Sequence, residues 1–370
     1  MNELPQAPVS RSAKLLLLCV GVALSLVVVE AMFRILGAIS KPSRWTDRPF
    51  VYVLPEGSQT LQDADPHPKP EGSFRVAVVG DSFTFAPHMQ LKDTFPKQLE
   101  QMLNANAGSP RVEVLNRGRS GASTETEVEL VKKALAEKPD LLVLEITLND
   151  AEPHILSQRE REALFKPRWL TWRIFSWWKT LGFVATRIHN SQSVGRYIDY
   201  HSKFFKDPET RGRFRSALKR IKAQADEAKV PLVALVFPLF DFPVNQQYPF
   251  HETHSIIAAE LRALGISRID LRRAYRNIPP ERLQVVPGED NHPNEIAHRI
   301  AAERLLAGLV EEELLPKAVV PKHLFRERKD LNGPGADSSR VWGRGAKGVL
   351  FPAGMQDSES EAAEPEGIEP

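Results

Sequence analysis

The stretch Val76-Ala77-Val78-Val79-Gly80-Asp81-Ser82-Phe83 constrains this chain more than any other. Four apolar residues in a row, three of them β-branched, predict a strand buried on both faces. The run stops abruptly at a small residue, an acid and a hydroxyl. A strand covered on both faces belongs to a parallel sheet, and the carboxyl ends of such strands are where open α/β sheets place their ligands. A serine on that turn is held by rigid backbone and is available as a nucleophile.

The rest of the chain repeats the pattern. Strands are predicted at Arg75 to Val79, Val112 to Asn116, Leu141 to Ile146, Leu232 to Phe237 and, more weakly, Arg268 to Leu271. Between them fall helices at Thr94 to Asn106, Thr124 to Glu137, Glu209 to Lys229 and Ile256 to Leu264. Phe95, Leu99 and Leu103 recur every four residues, and Val128, Val131 and Leu135 share one face. Pro139 ends the second helix. Asn294 suits an N-cap for a last helix running to about Val310. The strand Leu141 to Ile146 is apolar except for Glu145. Strand and helix alternating in this way predict an α/β fold, a doubly wound parallel sheet with helices on both faces.

Ahead of this domain, Leu15 to Val29 is uncharged and apolar apart from Gly21 and Ser25, and Ala31 to Ile39 extends it. Arg11 and Lys14 precede the run, while Arg34, Lys41 and Arg44 follow it. Residues 1–40 read as one transmembrane signal anchor. A cleaved signal peptide is the rival reading, although no small-x-small site follows directly. A buried or peripheral helix is the third. Leu18 before the lone Cys19 is too large for a lipoprotein signal. The basic residues before the run favour a cytoplasmic N-terminus and an extracytoplasmic, periplasmic domain.

Residues 41–73, rich in Pro, Asp and Gly, read as a linker and 74–315 as the α/β domain. Residues 152–207 form an insertion after the third strand, basic and aromatic, with Trp169, Trp172, Trp177 and Trp178 among Arg168, Arg173, Lys179 and Arg187. A helical cap and an interfacial surface facing a membrane or polymer both fit it. Residues 316–370 lack periodicity and end in an acidic stretch, as a disordered tail does. With a net charge of +2 no strong field draws nucleic acid. One cysteine allows neither a disulfide nor a cysteine zinc site within the chain. His251 and His254 stand three apart with Glu252 pointing elsewhere, and read as a surface pair rather than metal ligands.

Four separated blocks then carry a resemblance: Gly80-Asp81-Ser82-Phe83-Thr84-Phe85, Asn116-Arg117-Gly118-Arg119-Ser120-Gly121-Ala122, Thr147-Leu148-Asn149-Asp150, and Asp290-Asn291-His292-Pro293-Asn294. In this order, each at a strand end or before a helix, they resemble the SGNH (GDSL) hydrolases over roughly Arg75 to Leu309. The resemblance implies a flavodoxin-like sheet and esterase, lipase, thioesterase or acyl-transfer chemistry without cofactor or metal. It implies Ser82 as nucleophile, His292 as general base and acid, and Asp290 as the acid that orients it. It implies an oxyanion hole from the Ser82 and Gly121 amides and the Asn149 side chain. Asp81 and Asp150 read as turn residues, and His88 as part of the rim. The chain departs from the family in three places. Glu289, not Asp290, stands three before the histidine and is the alternative acid. Thr147 replaces a glycine two before the asparagine. Gly118 competes with Gly121 as the second-block glycine. The partners implied are an ester-bearing small molecule, glycan or lipid, and the membrane through the N-terminal helix; oligomeric state stays open. The competing classes are a non-catalytic envelope protein binding a polysaccharide or partner on the same scaffold, and a phospholipase or thioesterase working at the bilayer.

Overall fold

The computed structural model describes residues 10–39, 63, 65–87, 89–105, 110–153, 173–287 and 290–320. The chain divides into two compact units, Met1–Val51 with Pro153–Lys206, and Tyr52–Glu152 with Asp207–Pro370.

The first unit is helical. α1 spans Arg11–Ile39, and its 26-residue stretch Arg11–Leu36 is long and apolar enough to cross a membrane. Leu15, Leu16, Leu17 and Leu18 are all exposed. Helices at Arg173–Trp177 and Lys179–Lys206 complete the unit. Glu30, in the second half of α1, accepts from the amides of Lys179 (3.0 Å) and Thr180 (2.8 Å) and from the Thr180 hydroxyl (2.9 Å). These are free amides at the start of a helix, which a carboxylate satisfies. Arg34 bridges Glu30 to the Trp177 carbonyl, and the rings of Phe33 and Phe183 lie 5.0 Å apart.

The second unit opens with β1 (Phe74–Val79), α2 (Ser82–Phe85), α3 (Phe95–Leu103), β2 (Val112–Asn116), α4 (Thr124–Ala136) and β3 (Leu141–Ile146). Naming the two helices of the first unit α5 (Arg173–Trp177) and α6 (Lys179–Lys206), the second unit continues with α7 (Pro208–Ala228), β4 (Leu232–Val236), α8 (His251–Ala263) and β5 (Ser267–Asp270). It ends with β6 (Gln284–Val286), β7 (Asp290–Pro293) and α9 (Glu295–Glu311). The five parallel strands β1–β5 lie in the order 2-1-3-4-5, with Val76 level with Val114 on one side and Leu141 on the other. This is the flavodoxin-like order, which reverses direction between β1 and β3. Helices form two layers, α3 packing with α9 and α4 with α7. Strands β2 and β3 are buried along their whole length, which is why they are apolar except for Glu113, Asn116 and Glu145.

β1 begins on a fully buried charge. Arg75 donates to Glu113 from Nε (3.0 Å) and Nη2 (2.8 Å), and from Nη1 to the carbonyls of Glu137 (2.7 Å) and His67 (3.2 Å). Burial would raise the Glu113 pKa, but the hydrogen bonds and charge of Arg75 outweigh it and hold Glu113 below its usual range. Part of the predicted linker is also pinned here. Asp63 accepts from the Asn116 amide (2.8 Å), and Lys69 pairs with Asp140.

Several expectations are corrected. His251 is exposed, but His254 is buried on the inner face of α8, so the two are not a surface pair. α8 also begins at His251, five residues before the predicted start, because its first turn is polar. Before the last helix lies an antiparallel hairpin, β6–β7, that the predicted elements do not include. Of the insertion, Trp169, Trp172 and Arg168 lie outside the described residues. So does the tail beyond Val320; of its first residues, Val319 and Val320 are buried.

Candidate functional site

The serine turn is built from backbone constraints. β1 ends at Val79, and Asp81 caps α2 by accepting from the Phe83 amide at 2.7 Å. Ser82 is the first residue of α2 and is 8% exposed. Ala86 closes the turn in the left-handed conformation, φ 55°, with its amide on the Ser82 carbonyl. Gly80 has to be glycine: a Cβ there would overlap Thr84 Oγ1 and lie 2.7 Å from Glu145 Cβ. Being first in a helix, the Ser82 amide is one of those with no partner inside it.

The second block wraps this turn. Arg119 donates its amide to the Gly80 carbonyl (3.0 Å), and Asn116 donates its side chain to the Thr84 carbonyl (2.7 Å). The Gly118 amide is held by Asn116 Oδ1 at 3.1 Å and so is not free for an oxyanion. The Gly121 amide has no acceptor among the described residues, and its φ of 70° suits glycine. The third block leaves β3 next to β1, at the point where the sheet order reverses. There Thr147 takes over from the expected glycine by bridging, with Oγ1 lying between Asp81 Oδ2 (2.8 Å) and Asn149 Oδ1. With the carbonyl end of the Asn149 amide held inward, its NH₂ end makes no hydrogen bond among the described residues. Asp150 accepts from the Thr147 amide at 2.8 Å. Asp81 and Asp150 both serve turns.

The fourth block lies on β7. Asp290 Oδ1 sits 2.5 Å from His292 Nδ1 and also accepts the His292 amide at 3.0 Å. The alternative acid, Glu289, and the rim residue His88 lie outside the described residues. The His292 ring is 5.7 Å, centroid to centroid, from that of Phe83, the neighbour of Ser82. Among the described residues no hydrogen bond joins Ser82 Oγ to His292; in unliganded sites such bonds are often long and tighten on binding. Asn294 fastens the hairpin, capping α9 through the Ile296 and Ala297 amides and donating to the carbonyls of Arg282 and Gln284. Asp290 and His292 are therefore in direct contact, while Asn149 reaches the serine turn through Thr147 and Asp81, and Gly121 through the loop Arg119 anchors.

Sequence reasoning missed what lies beneath. Four carboxyl groups, Asp81, Glu127, Glu145 and Asp150, are buried side by side under the turn, and among the described residues none makes an ion pair. Burial first, and then mutual repulsion, push the Glu127, Glu145 and Asp150 pKa values well above the carboxylate range. The only sequence signal was one acid inside an apolar strand. His298, also unremarked, is fully buried in α9 and accepts the Phe95 amide at 3.2 Å. Burial, with a smaller push from His292, lowers its pKa to about 3, so it is neutral.

The family described as GDSL-like lipase/acylhydrolase matches residues 78–300, more than half of the 370-residue chain. Similar solved structures include a catalytic mutant of Axe2, an acetylxylan esterase from Geobacillus stearothermophilus. It has 14% identity and a TM-score of 0.42, covering 64% of this chain and 94% of that one. The esterase EstA from Pseudoalteromonas sp. has 11% identity and a TM-score of 0.40, covering 65% and 98%. Likenesses this distant carry no assignment of substrate. No curated protein matches the chain. The family match covers the end of the strand that leads into Ser82, the second and third blocks and the Asp290–His292 pair, and the chain belongs to the GDSL-like lipase/acylhydrolase family.

Proposed function

We propose that this chain is a serine ester hydrolase acting through an acyl-Ser82 intermediate. His292 removes the Ser82 proton as Oγ attacks the ester carbonyl carbon. The carbonyl π electrons move to oxygen, and the amides of Ser82 and Gly121 with Asn149 Nδ2 receive the oxyanion. Each such donor contributes about 2.7–4 kcal/mol to the transition state in comparable sites. Collapse expels the alkoxide, which takes the proton from His292. Asp290 keeps Nδ1 protonated and steadies the imidazolium. Water then releases the acid by the same steps; a sugar or lipid hydroxyl in its place makes the reaction a transfer. The substrate class is an ester on a small molecule, glycan or lipid. The observation that carries this reading is the 2.5 Å Asp290–His292 contact, on a hairpin whose histidine faces the helix that Ser82 begins.

The test is labelling of the purified chain with a fluorophosphonate probe, against Ser82→Ala. Labelling of the wild type that vanishes in the variant is expected. A well-folded wild type that resists the probe would overturn the reading and favour a binding protein on the same scaffold.

We also propose that α1 stays on the mature chain as a membrane anchor, with the α/β domain extracytoplasmic. Support comes from its polar contacts: Glu30 caps the start of α6 and Arg34 holds the Trp177 carbonyl. A segment made only to be cleaved has no use for side chains fitted to a helix some 150 residues later. The apolar residues Ile174, Trp177, Val184 and Ile188 are exposed along α5 and α6, and Arg173, Lys179 and Arg187 stand among them. That combination suits a lipid surface with anionic headgroups.

A further inference from the structure

Glu145 is the last but one residue of β3 and points under the serine turn. One of its oxygens, Oε2, accepts from the Asp81 amide at 3.1 Å and from the Thr84 hydroxyl at 3.0 Å. These donors lie one residue before Ser82 and two after it, so a single oxygen brackets the nucleophile. Gly80 is bare because Glu145 occupies the space a Cβ would need. The other oxygen, Oε1, is buried with no hydrogen-bond partner among the described residues.

We propose that Glu145 is a positioning residue for Ser82: its Oε2 holds the turn, and its ionisation, although it strengthens those two bonds, sets a negative charge against Asp81 and Asp150 that forces the turn apart, so that it imposes an alkaline limit on activity. This rests on the reading of Ser82 as nucleophile. The groups facing Glu145 are Asp81 from the turn, Asp150 from the loop after β3 and Glu127 from α4. Arg119 acts on Glu127 and Glu152 on Asp150 from further away. With four carboxyls in one buried site and no ion pair to any of them, each proton removed adds a negative charge beside those already there. Glu127 and Asp150 also retain oxygens that nothing hydrogen-bonds. Glu127, Glu145 and Asp150 hold protons more tightly folded than unfolded, so the arrangement is complete at low pH and is lost as pH rises through their folded values. Sites of this kind are sensitive, since a displacement of about 1 Å can cost on the order of 100-fold in rate.

The experiment measures the rate of Ser82 labelling by a fluorophosphonate from about pH 6 to about pH 10 in the full chain, its Glu145→Gln variant and its Glu145→Ala variant. Glutamine keeps the acceptor oxygen and cannot ionise. Alanine removes the acceptor, and a fall of roughly 10–100-fold is expected. Glu145→Gln should recover most of that loss, and its alkaline decline should lie above that of the wild type. Circular dichroism establishes whether Glu145→Ala is folded, and if it is not, the glutamine comparison decides alone. An alkaline limit identical in wild type and Glu145→Gln overturns the proposal, as does a glutamine variant as slow as a folded alanine one. A wild type that is not labelled at any pH defeats the reading of Ser82 itself, and this inference with it.

Discussion

Replacing Gly118 by alanine separates the positioning of Ser82 from the chemistry it performs. Gly118 touches neither substrate nor base, yet its backbone lies against α2. A Cβ at this position would stand 2.8 Å from the Thr84 carbonyl carbon and from Thr84 Cβ, and nearer still to the Phe85 amide nitrogen. Ordinary contact begins near 3.4 Å. The gap to Thr84 is therefore short by about 0.6 Å, and the gap to Phe85 by more. The obstacle is main chain, and Asn116 ties that same main chain to the second block. The turn must shift by most of an ångström. The expected cost is about 1–3 kcal/mol of stability from overpacking, and a fall of roughly 10–100-fold in Ser82 labelling rate. Stopped-flow or gel-based labelling gives the rate, and urea unfolding gives the stability. Gly212→Ala is the control: it lies in α7 with nothing within 4 Å of a new Cβ, and should gain up to about 1 kcal/mol without slowing labelling. A Gly118→Ala chain that is labelled at the wild-type rate would refute the claim that this contact fixes the serine.

Two further outcomes are expected. His298 binds a proton with a pKa of about 3 when folded and near 6.5 when unfolded. Its contribution is thus complete above pH 6.5 and is lost as pH falls toward the folded value, amounting to about 1 kcal/mol between pH 7 and 5.5; urea unfolding at the two pH values should show that loss, smaller in His298→Gln, and an equal loss in both would dismiss the role of His298. If α1 is a retained anchor, intact mass of the chain extracted from membranes should include residues 11–39, and a species beginning after Ile39 would dispose of the anchor.

Much of the sheet was legible because strands buried on both faces are mostly apolar, with their few polar residues each held by a partner or a turn. β2 and β3 coincide with their predicted spans residue for residue. The hairpin β6–β7 was not legible, since its strands are three and four residues long and carry a register shift. Too few residues alternate there to show a period of two. The candidate residues Ser82, Asn149, Asp290 and His292 stand out in the sequence because each is a reactive group at an element boundary. Glu127 was hidden on α4 because its neighbours Glu125 and Glu129 make it look like one more solvated acid. Only the three-dimensional arrangement turns it inward, toward Glu145 and Asp150. His254 was misread for the mirror-image reason: a polar residue on a helix flanked by polar residues, it is nonetheless on the buried face.

The guanidinium at the start of β1 has a bearing on alignment. An apolar strand such as Phe74–Val79 offers little to distinguish one hydrogen-bonding register from the next, because a slip of two residues still presents valine and alanine to both layers. Arg75 removes that freedom. Displaced along the sheet, it would leave Glu113, the carbonyls of His67 and Glu137, and itself unpaired in a dry interior, at a cost of about 3–5 kcal/mol for the broken ion pair alone. One charge at the closed end of the sheet thus acts as the zero of a ruler. Its far mark, seven positions along the chain, is the hydroxyl of Ser82.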